Sequence, residues 1–325
     1  MTDENQFSAL VLEEDDDHKV TAGVETLDND HLPPGDVTVA VEYSTLNYKD
    51  AMIIQGIGRL VREYPHVPGI DFAGTVETSD SPDYKPGDKV VLTGWRVGEV
   101  HWGGYATRAR VKADWLVPLA DGLSTEQSMA IGTAGFTAML AIMALEEHGL
   151  TPQSEGEVLV TGASGGVGSA AIQLAAARGA LVDALTSPAK FEHLEKLGAQ
   201  RTFARDADLL NDPGRQSYDV VIDLVGGPGW PVLLEVLKRN GRYAVSGAIG
   251  GHGVELDLRT LYLKDLSLFG CTVLGEGVFA GLVELIESGQ IRPLVAETFP
   301  LERIAQAQDL FQQKGHVGKI VLEVG

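Results

Sequence analysis

The sequence predicts an α/β protein of two domains, a strand-rich domain followed by a doubly wound parallel-sheet domain, and three observations predict it. The first 128 residues carry short strand patterns separated by turns. From 129 onward helix and strand alternate. A glycine-rich loop, VTGASGGVG at 160–168, stands between an apolar strand and an Ala-rich helix. A chain of 325 residues is long enough for one or two domains with cores of their own.

In the first block, FSALVLEE, KVTAGVETL, DVTVAVEYS, AGTVETS, DKVVLTG and ARVKADWLVPL read as strands. The acidic run EEDDD at 13–17 belongs at a hairpin tip as solvated turn. The second block opens with the helical stretch EQSMAIGTAGFTAMLAIMALEEHG, then the strand EVLVTGA and the helix SAAIQLAAARG. Further strands follow at ALVDALT, RTFA, DVVIDLVG, RYAVSGA and SLFGCTVL, and such alternation builds a parallel sheet with helices on both faces. The tail from 276 has two helical stretches, VFAGLVELIESG and LERIAQAQDLFQQKG, and a closing strand, GKIVLEV, that returns to the first domain. The expected domains are therefore 1–128, completed by 276–325, and 129–275.

Hydrophobic residues make up 44% of the chain, and no run reaches the roughly 18 uncharged apolar residues a membrane helix needs. MTDENQFSALVLEEDDDHK lacks the basic and apolar regions of a secretory signal, so a cytoplasmic location is expected. The single cysteine, Cys271, excludes a disulfide framework and a Cys-rich zinc lobe; in an apolar strand it reads as core or dimer interface. A formal charge of -21, from 46 acidic and 25 basic residues, argues against nucleic acid, whose phosphates require basic patches. The excess fits either a surface adapted to high salt or an ordinary acidic enzyme.

The loop has Gly162, Gly165 and Gly168 in a G-x-x-G-x-x-G arrangement, with Gly166 beside them. Such glycines permit a tight turn and let backbone N–H groups approach a pyrophosphate at a helix N-terminus. Gly162, Ser164, Gly165, Gly166, Val167 and Gly168 are the cofactor-binding candidates here, and Gly247, in RYAVSGA, joins them. NAD requires a carboxylate at the end of the second strand; that end reads Leu185-Thr186-Ser187-Pro188. Thr186 and Ser187 offer hydroxyls, and Lys190 and Arg205 are candidates for a 2′-phosphate, which favours NADPH over NADH. Two alternatives stay open: Asp183 as the diol ligand if the strand ends early, and Lys190 as a solvated helix start.

On VPGIDFAGTV, GTAGFTAML, TGASGGVG and GKIVLEV, across essentially the whole chain, the sequence resembles the zinc-free, quinone-oxidoreductase-like branch of the medium-chain dehydrogenase/reductase superfamily. DVTVAVEYSTLNYKDAM, LTGWRVGEVHWGGYA and ARVKADWLVP are most similar to its acrylyl-CoA reductase subfamily. The resemblance implies a GroES-like catalytic domain, a Rossmann cofactor domain, and NADPH-dependent reduction of acryloyl-CoA to propanoyl-CoA. It also implies a homodimer joined by edge strands, for which 267–274 is the matching stretch. One departure is Thr186-Ser187-Pro188, which stands where the subfamily carries a Ser-Gly-Arg turn.

Zinc alcohol dehydrogenases carry Gly-His-Glu where this chain has Gly69-Ile70-Asp71, and the first domain has no Cys, so no catalytic metal is expected. Double-bond reduction needs no Lewis acid: hydride adds to the β-carbon, donors stabilise the enolate, and the α-carbon takes a proton from a side chain or water. Asn47 is a candidate to orient substrate or nicotinamide, and Tyr48 to donate a proton, with solvent as the alternative donor. Asp50 is a candidate to position Lys49 or backbone groups, and Thr133 to contact the nicotinamide half or to cap a helix. Arg59, Arg62 and Arg96 are candidates for coenzyme A phosphates or for surface ion pairs, and Trp95 for the pocket wall. The rival readings are a quinone or general enone reductase on the same scaffold, and a protein that binds NADPH without turnover.

Overall fold

The computed structural model describes residues 5–147, 156–211, 218–271 and 278–325. The chain divides into two compact units, Met1–Thr133 with Pro293–Gly325, and Ala134–Arg292.

The strand-rich unit opens with β1 (Gln6–Glu14) and β2 (Val20–Asp28), an antiparallel hairpin. At its acidic tip Asp15 Oδ1 accepts the N–H groups of Asp17 and Lys19 at 3.0 and 2.9 Å. Next come β3 (Val37–Leu46), α1 (Tyr48–Ile54), β4 (Asp71–Ser79), β5 (Lys89–Thr93), β6 (Arg108–Val111) and β7 (Leu116–Pro118). α2 (Thr125–Glu147) leads onward into the second unit.

That unit contains β8 (Glu157–Val160), α3 (Gly166–Ala177), β9 (Leu181–Thr186), α4 (Phe191–Lys196), β10 (Ala199–Ala204) and β11 (Tyr218–Asp223). It continues through α5 (Trp230–Glu235), β12 (Leu237–Val245), α6 (Leu258–Leu263), β13 (Ser267–Gly270) and α7 (Val278–Glu287). The chain ends in the first unit with β14 (Val295–Pro300), α8 (Ile304–Gln313) and β15 (Lys319–Glu323).

In the second unit the strand order is β10-β9-β8-β11-β12-β13, every pairing parallel, the doubly wound order that reverses at the first strand. Val158, Leu159, Val160, Val220, Val221 and Ile222 are all buried, as expected for strands covered on both faces. In the first unit the order is β14-β15-β3-β4-β5-β7, with β6 also paired to β3. Val37, Val39 and Val41 alternate into its core with Phe72, Val90, Leu92, Ile320 and Leu322.

Three sequence expectations need correction. The division falls at Thr133 and Arg292 rather than at 128 and 275, because α7 follows the last parallel strand within the second unit, where Leu282 and Ile291 are buried. One helix, Thr125–Glu146, is long and apolar enough to cross a membrane by length and composition, contrary to the expectation that no run reaches that limit. Of its apolar window 78% is buried, so it is a core helix. The strand expected at 267–274 is described only as Ser267–Gly270; residues 272–274 lie outside the described residues, as do 148 and 149 of the long helical stretch.

Candidate active site

The strand-rich unit builds one constellation from four separate segments. β3 ends at Leu46, α1 begins at Tyr48, and Asn47 between them is buried in extended conformation as the helix cap. Asp50, one turn on, reaches back to accept the Asn47 N–H at 3.0 Å, the return half of a capping box. β15 pairs antiparallel with β3, Ile320 opposite Leu46, and this register brings Lys319 beside Asn47. β4 supplies Asp71 at its first residue.

The Asn47 amide is held on every side. Its Nδ2 donates to Asp50 Oδ2 at 3.0 Å and to Asp71 Oδ2 at 2.9 Å, while its Oδ1 accepts from Lys319 Nζ. Lys319 also donates to the Leu46 carbonyl at 3.1 Å, and Asp50 Oδ1 accepts the Ile70 N–H at 3.0 Å. The Thr133 hydroxyl donates to Asp71 Oδ1, and its N–H to Asp71 Oδ2 at 3.2 Å. That N–H is free to turn because α2 breaks at Gly132, with φ 48° and ψ -128°. A side chain at Gly132 would meet Asp71 Oδ2 at 2.7 Å, so glycine is required there.

Two buried carboxylates are thus linked to one buried ammonium through the Asn47 amide. Burial, and then the neighbouring Asp71, push the Asp50 carboxyl up to about 6. Burial raises Asp71 too, against Lys319 and the Thr133 and Asn47 hydrogen bonds. Burial lowers Lys319, against both carboxylates, and the Tyr105 hydroxyl is held far above its ordinary range by burial and by Asp50 and Asp71. The Tyr105 hydroxyl donates a hydrogen bond to the Thr45 carbonyl at 3.2 Å.

Around this cluster, Tyr48 is 53% exposed on the first turn of α1. Lys49 pairs with Glu99 at 2.8 Å, not with Asp50, and Arg96 lies 3.7 Å from the same Glu99. Arg59 and Arg62 are exposed. Trp95 and Arg96 are consecutive residues of left-handed backbone, φ 55° and 59°. Trp95 is 44% exposed and stacks on Trp115 at 6.3 Å and 17°, while His101 meets Trp115 edge-on at 5.1 Å. Among the described residues no three His, Cys, Asp or Glu side chains are grouped to hold a metal ion.

The second constellation lies in the parallel-sheet unit. The turn after β8 places Gly162 at φ 56°, and α3 starts at Gly166 behind the cap Gly165. At Gly168 a Cβ would stand 2.5 Å from the Gly162 carbonyl oxygen, so only glycine lets the helix approach the loop this closely. Ser164 is buried, Val167 is half-buried, and Gly247 packs against the Leu224 carbonyl. Beyond the end of β9, Lys190 is buried and donates to Ser164 Oγ at 3.2 Å, which brings its ammonium to the glycine loop. Burial and the neighbouring Arg205, itself exposed, lower the Lys190 ammonium. Thr186 Oγ1 is buried with no hydrogen-bond partner among the described residues, and Ser187 follows half-buried.

Asp183 is accounted for inside the sheet. β9 continues to Thr186, and Asp183 sits in its middle, accepting from Arg201 Nη2 at 3.1 Å and the Tyr218 hydroxyl at 2.9 Å. Sequence reasoning left Asp71, Lys319 and Asp223 without roles. Asp223 closes β11 and accepts from the Thr161 and Tyr243 hydroxyls and from the N–H groups of Val225 and Gly226 at 2.9 and 3.0 Å, fixing the turn that faces the glycine loop. In each case the available signal was a charged residue at the end of an apolar strand: DFAG, KIVL and VVID.

Comparison with known proteins agrees with this geometry. The family model described as alcohol dehydrogenase GroES-like domain matches residues 33–121, and the one described as zinc-binding dehydrogenase matches 197–322. Acrylyl-CoA reductase AcuI of Ruegeria pomeroyi is 52% identical over 271 residues, 81% of each chain. The crystal structure of the yhdH oxidoreductase from Salmonella enterica in complex with NADP superposes with a TM-score of 0.86 at 39% identity, covering 98% of this chain and 100% of that one. The Bacillus subtilis protein yhfP with NAD bound gives 0.88 at 35% identity, covering 98% and 99%. With two family models and a relative of this identity on one chain, the protein belongs to the medium-chain dehydrogenase/reductase superfamily, in the group that includes acrylyl-CoA reductase.

Proposed function

We propose that the protein is an NADPH-dependent enoyl-thioester reductase that converts acryloyl-CoA to propanoyl-CoA. The observation that carries this reading is the 52% identity to acrylyl-CoA reductase over 81% of both chains. The residues of the second unit fit the cofactor: a glycine cradle that a Cβ would fill at Gly168, a buried Thr186 hydroxyl without a partner among the described residues, and the Lys190 ammonium at the loop. Gly162, Ser164, Gly165, Gly166, Val167 and Gly168 would hold the pyrophosphate, and Lys190, with Arg205, Thr186 and Ser187, the 2′-phosphate. NADPH, when bound, supplies the hydride for the β-carbon.

The chain's own residues supply positioning and a proton. Thr133, with its hydroxyl proton committed to Asp71, presents its oxygen as an acceptor to an amide N–H such as that of nicotinamide. Tyr48 is the exposed residue at the start of α1 and is assigned to the thioester oxygen or the α-carbon, with water as the other proton source. Arg59 and Arg62 are exposed and are assigned to coenzyme A phosphates, Trp95 offers an indole face, and a phosphate at Arg96 would compete with Glu99.

A homodimer through β13 is part of the reading, supported by its position at the sheet edge and by the exposed Leu258, Tyr262 and Leu263 of α6. So are a cytoplasmic location and an acidic surface suited to high salt. The test is the initial rate of NADPH and NADH oxidation with acryloyl-CoA, in low and high salt, beside a benzoquinone control. NADPH-selective oxidation with the thioester is expected; turnover of the quinone alone would move the function to the enone and quinone reductases.

A further inference from the structure

We propose that Lys319, carried by the closing strand of the chain, is a positioning residue of the reduction: its ammonium fixes the Asn47 amide and the start of α1, and through them Asp71, Thr133 and Tyr48. The inference rests on the hydride-transfer reading above and names a residue that the reading does not use.

Lys319 is the only donor to Asn47 Oδ1 in the hydrogen bonds described, and it holds the Leu46 carbonyl at 3.1 Å as well. An amide side chain has two orientations, and only the one with Oδ1 toward the ammonium lets Nδ2 donate to Asp50 and Asp71 together. A flipped amide would set an NH2 against the ammonium and an oxygen against two carboxylates. The ammonium and the two carboxylates together decide which way Asn47 points.

The second effect is on charge. The groups facing Asp50 are Asp71 from β4, Lys319 from β15, Asn47 and the Ile70 N–H, with the Tyr105 hydroxyl beside them. With Lys319 present, one buried positive charge acts on two buried negative ones. Without it, burial and mutual repulsion drive the pair to take up a proton. A protonated Asp50 or Asp71 would exchange an acceptor for a donor, and the bonds to Asn47 and Thr133 would be redrawn. Because Leu46 and Asn47 launch α1, the place of Tyr48 depends on the same contact.

The test compares Lys319→Met and Lys319→Arg with the wild type, each checked by circular dichroism and by NADPH fluorescence. Turnover with acryloyl-CoA is measured, and the Asp50 carboxyl is titrated by carbon NMR. In Lys319→Met, kcat should fall about tenfold or more while NADPH affinity stays within about threefold, since small misplacements at a reacting centre cost rate. The Asp50 midpoint should rise by about one unit or more as the opposite charge is lost. Lys319→Arg keeps the charge, so the midpoint should stay put, yet kcat should fall because a planar fork does not replace a point donor. If Lys319→Met does not fold, the arginine variant decides. A folded variant of either kind with kcat within about twofold of wild type overturns the proposal. A wild type inactive on acryloyl-CoA would instead sink the proposed function; the variants are then compared on benzoquinone, and an Asp50 midpoint unchanged in Lys319→Met overturns the role of Lys319 without any substrate.

Discussion

Gly168→Ala gives the sharpest quantitative test of the glycine cradle. The added Cβ would lie 2.5 Å from the Gly162 oxygen, 2.6 Å from Ala163 Cα and 2.8 Å from Ala163 C, and all three are backbone atoms that cannot swing away. Carbon contacts settle at about 3.5–4.0 Å, so loop and helix must separate by about 1 Å. Overpacking of this kind costs about 1–3 kcal/mol, and the better helix propensity of Ala offsets about 1 kcal/mol of it. The net loss of stability is therefore modest, about 0–2 kcal/mol. Binding should suffer more. A displaced loop loses at least one backbone N–H bond to phosphate, worth about 1.5–3 kcal/mol, so NADPH affinity should drop about 10- to 100-fold. Gly229→Ala, at a position with nothing within 4 Å, is the control. Fluorescence titration with NADPH and urea unfolding measure the two quantities. If Gly168→Ala binds NADPH within about twofold of wild type, the close approach of α3 to the loop is not what shapes the site.

Asp50 makes a pH prediction. Its carboxyl titrates near 6 in the fold, above its value in the unfolded chain, so the native state holds the proton more tightly. Stability from this group is complete below about pH 4 and lost as pH rises through about 6, a slope worth about 3 kcal/mol. Asp50→Asn should flatten that part of the urea midpoint against pH, and an unaltered slope would assign it elsewhere. Asp183→Asn should leave the choice between NADPH and NADH unchanged while lowering stability, because Asp183 faces Arg201 and Tyr218 within the sheet; a switch in cofactor preference would restore it as a ribose ligand. Lys190→Ala should weaken NADPH about tenfold or more, and NADH much less, on the strength of a lost charge-assisted bond. Equal weakening of both would mean that Lys190 only packs the loop.

The protein's charge balance bears on how such a cluster survives. A buried ion pair is costly to desolvate, and removal of one partner commonly costs more than the pair contributes. Asn47, Asp50, Asp71, Thr133 and Lys319 lower that cost by hydrogen bonds to nearly every polar atom they bury. The result is a rigid frame beside an exposed Tyr48.

By itself the sequence determined what depends on neighbours along the chain. Apolar strands alternating with helices pointed to a parallel sheet, since helices on both of its faces bury both sides of VLV and VVI. The glycine loop was legible because its function is local, a turn and a helix start within nine residues. Asn47, Tyr48 and Asp50 were legible as a polar group after a strand, without their partners. Tertiary structure alone decided the rest. Lys319 meets Asn47 only because β15 crosses back to pair with β3, and Thr133 meets Asp71 only because Gly132 breaks a helix that periodicity reads as continuous. Asp183 could be read as ligand or strand residue until Arg201 was placed beside it in the register of β9 and β10. Charges in apolar strands acquire meaning from what lies across the sheet, and spacing along the chain carries no record of that.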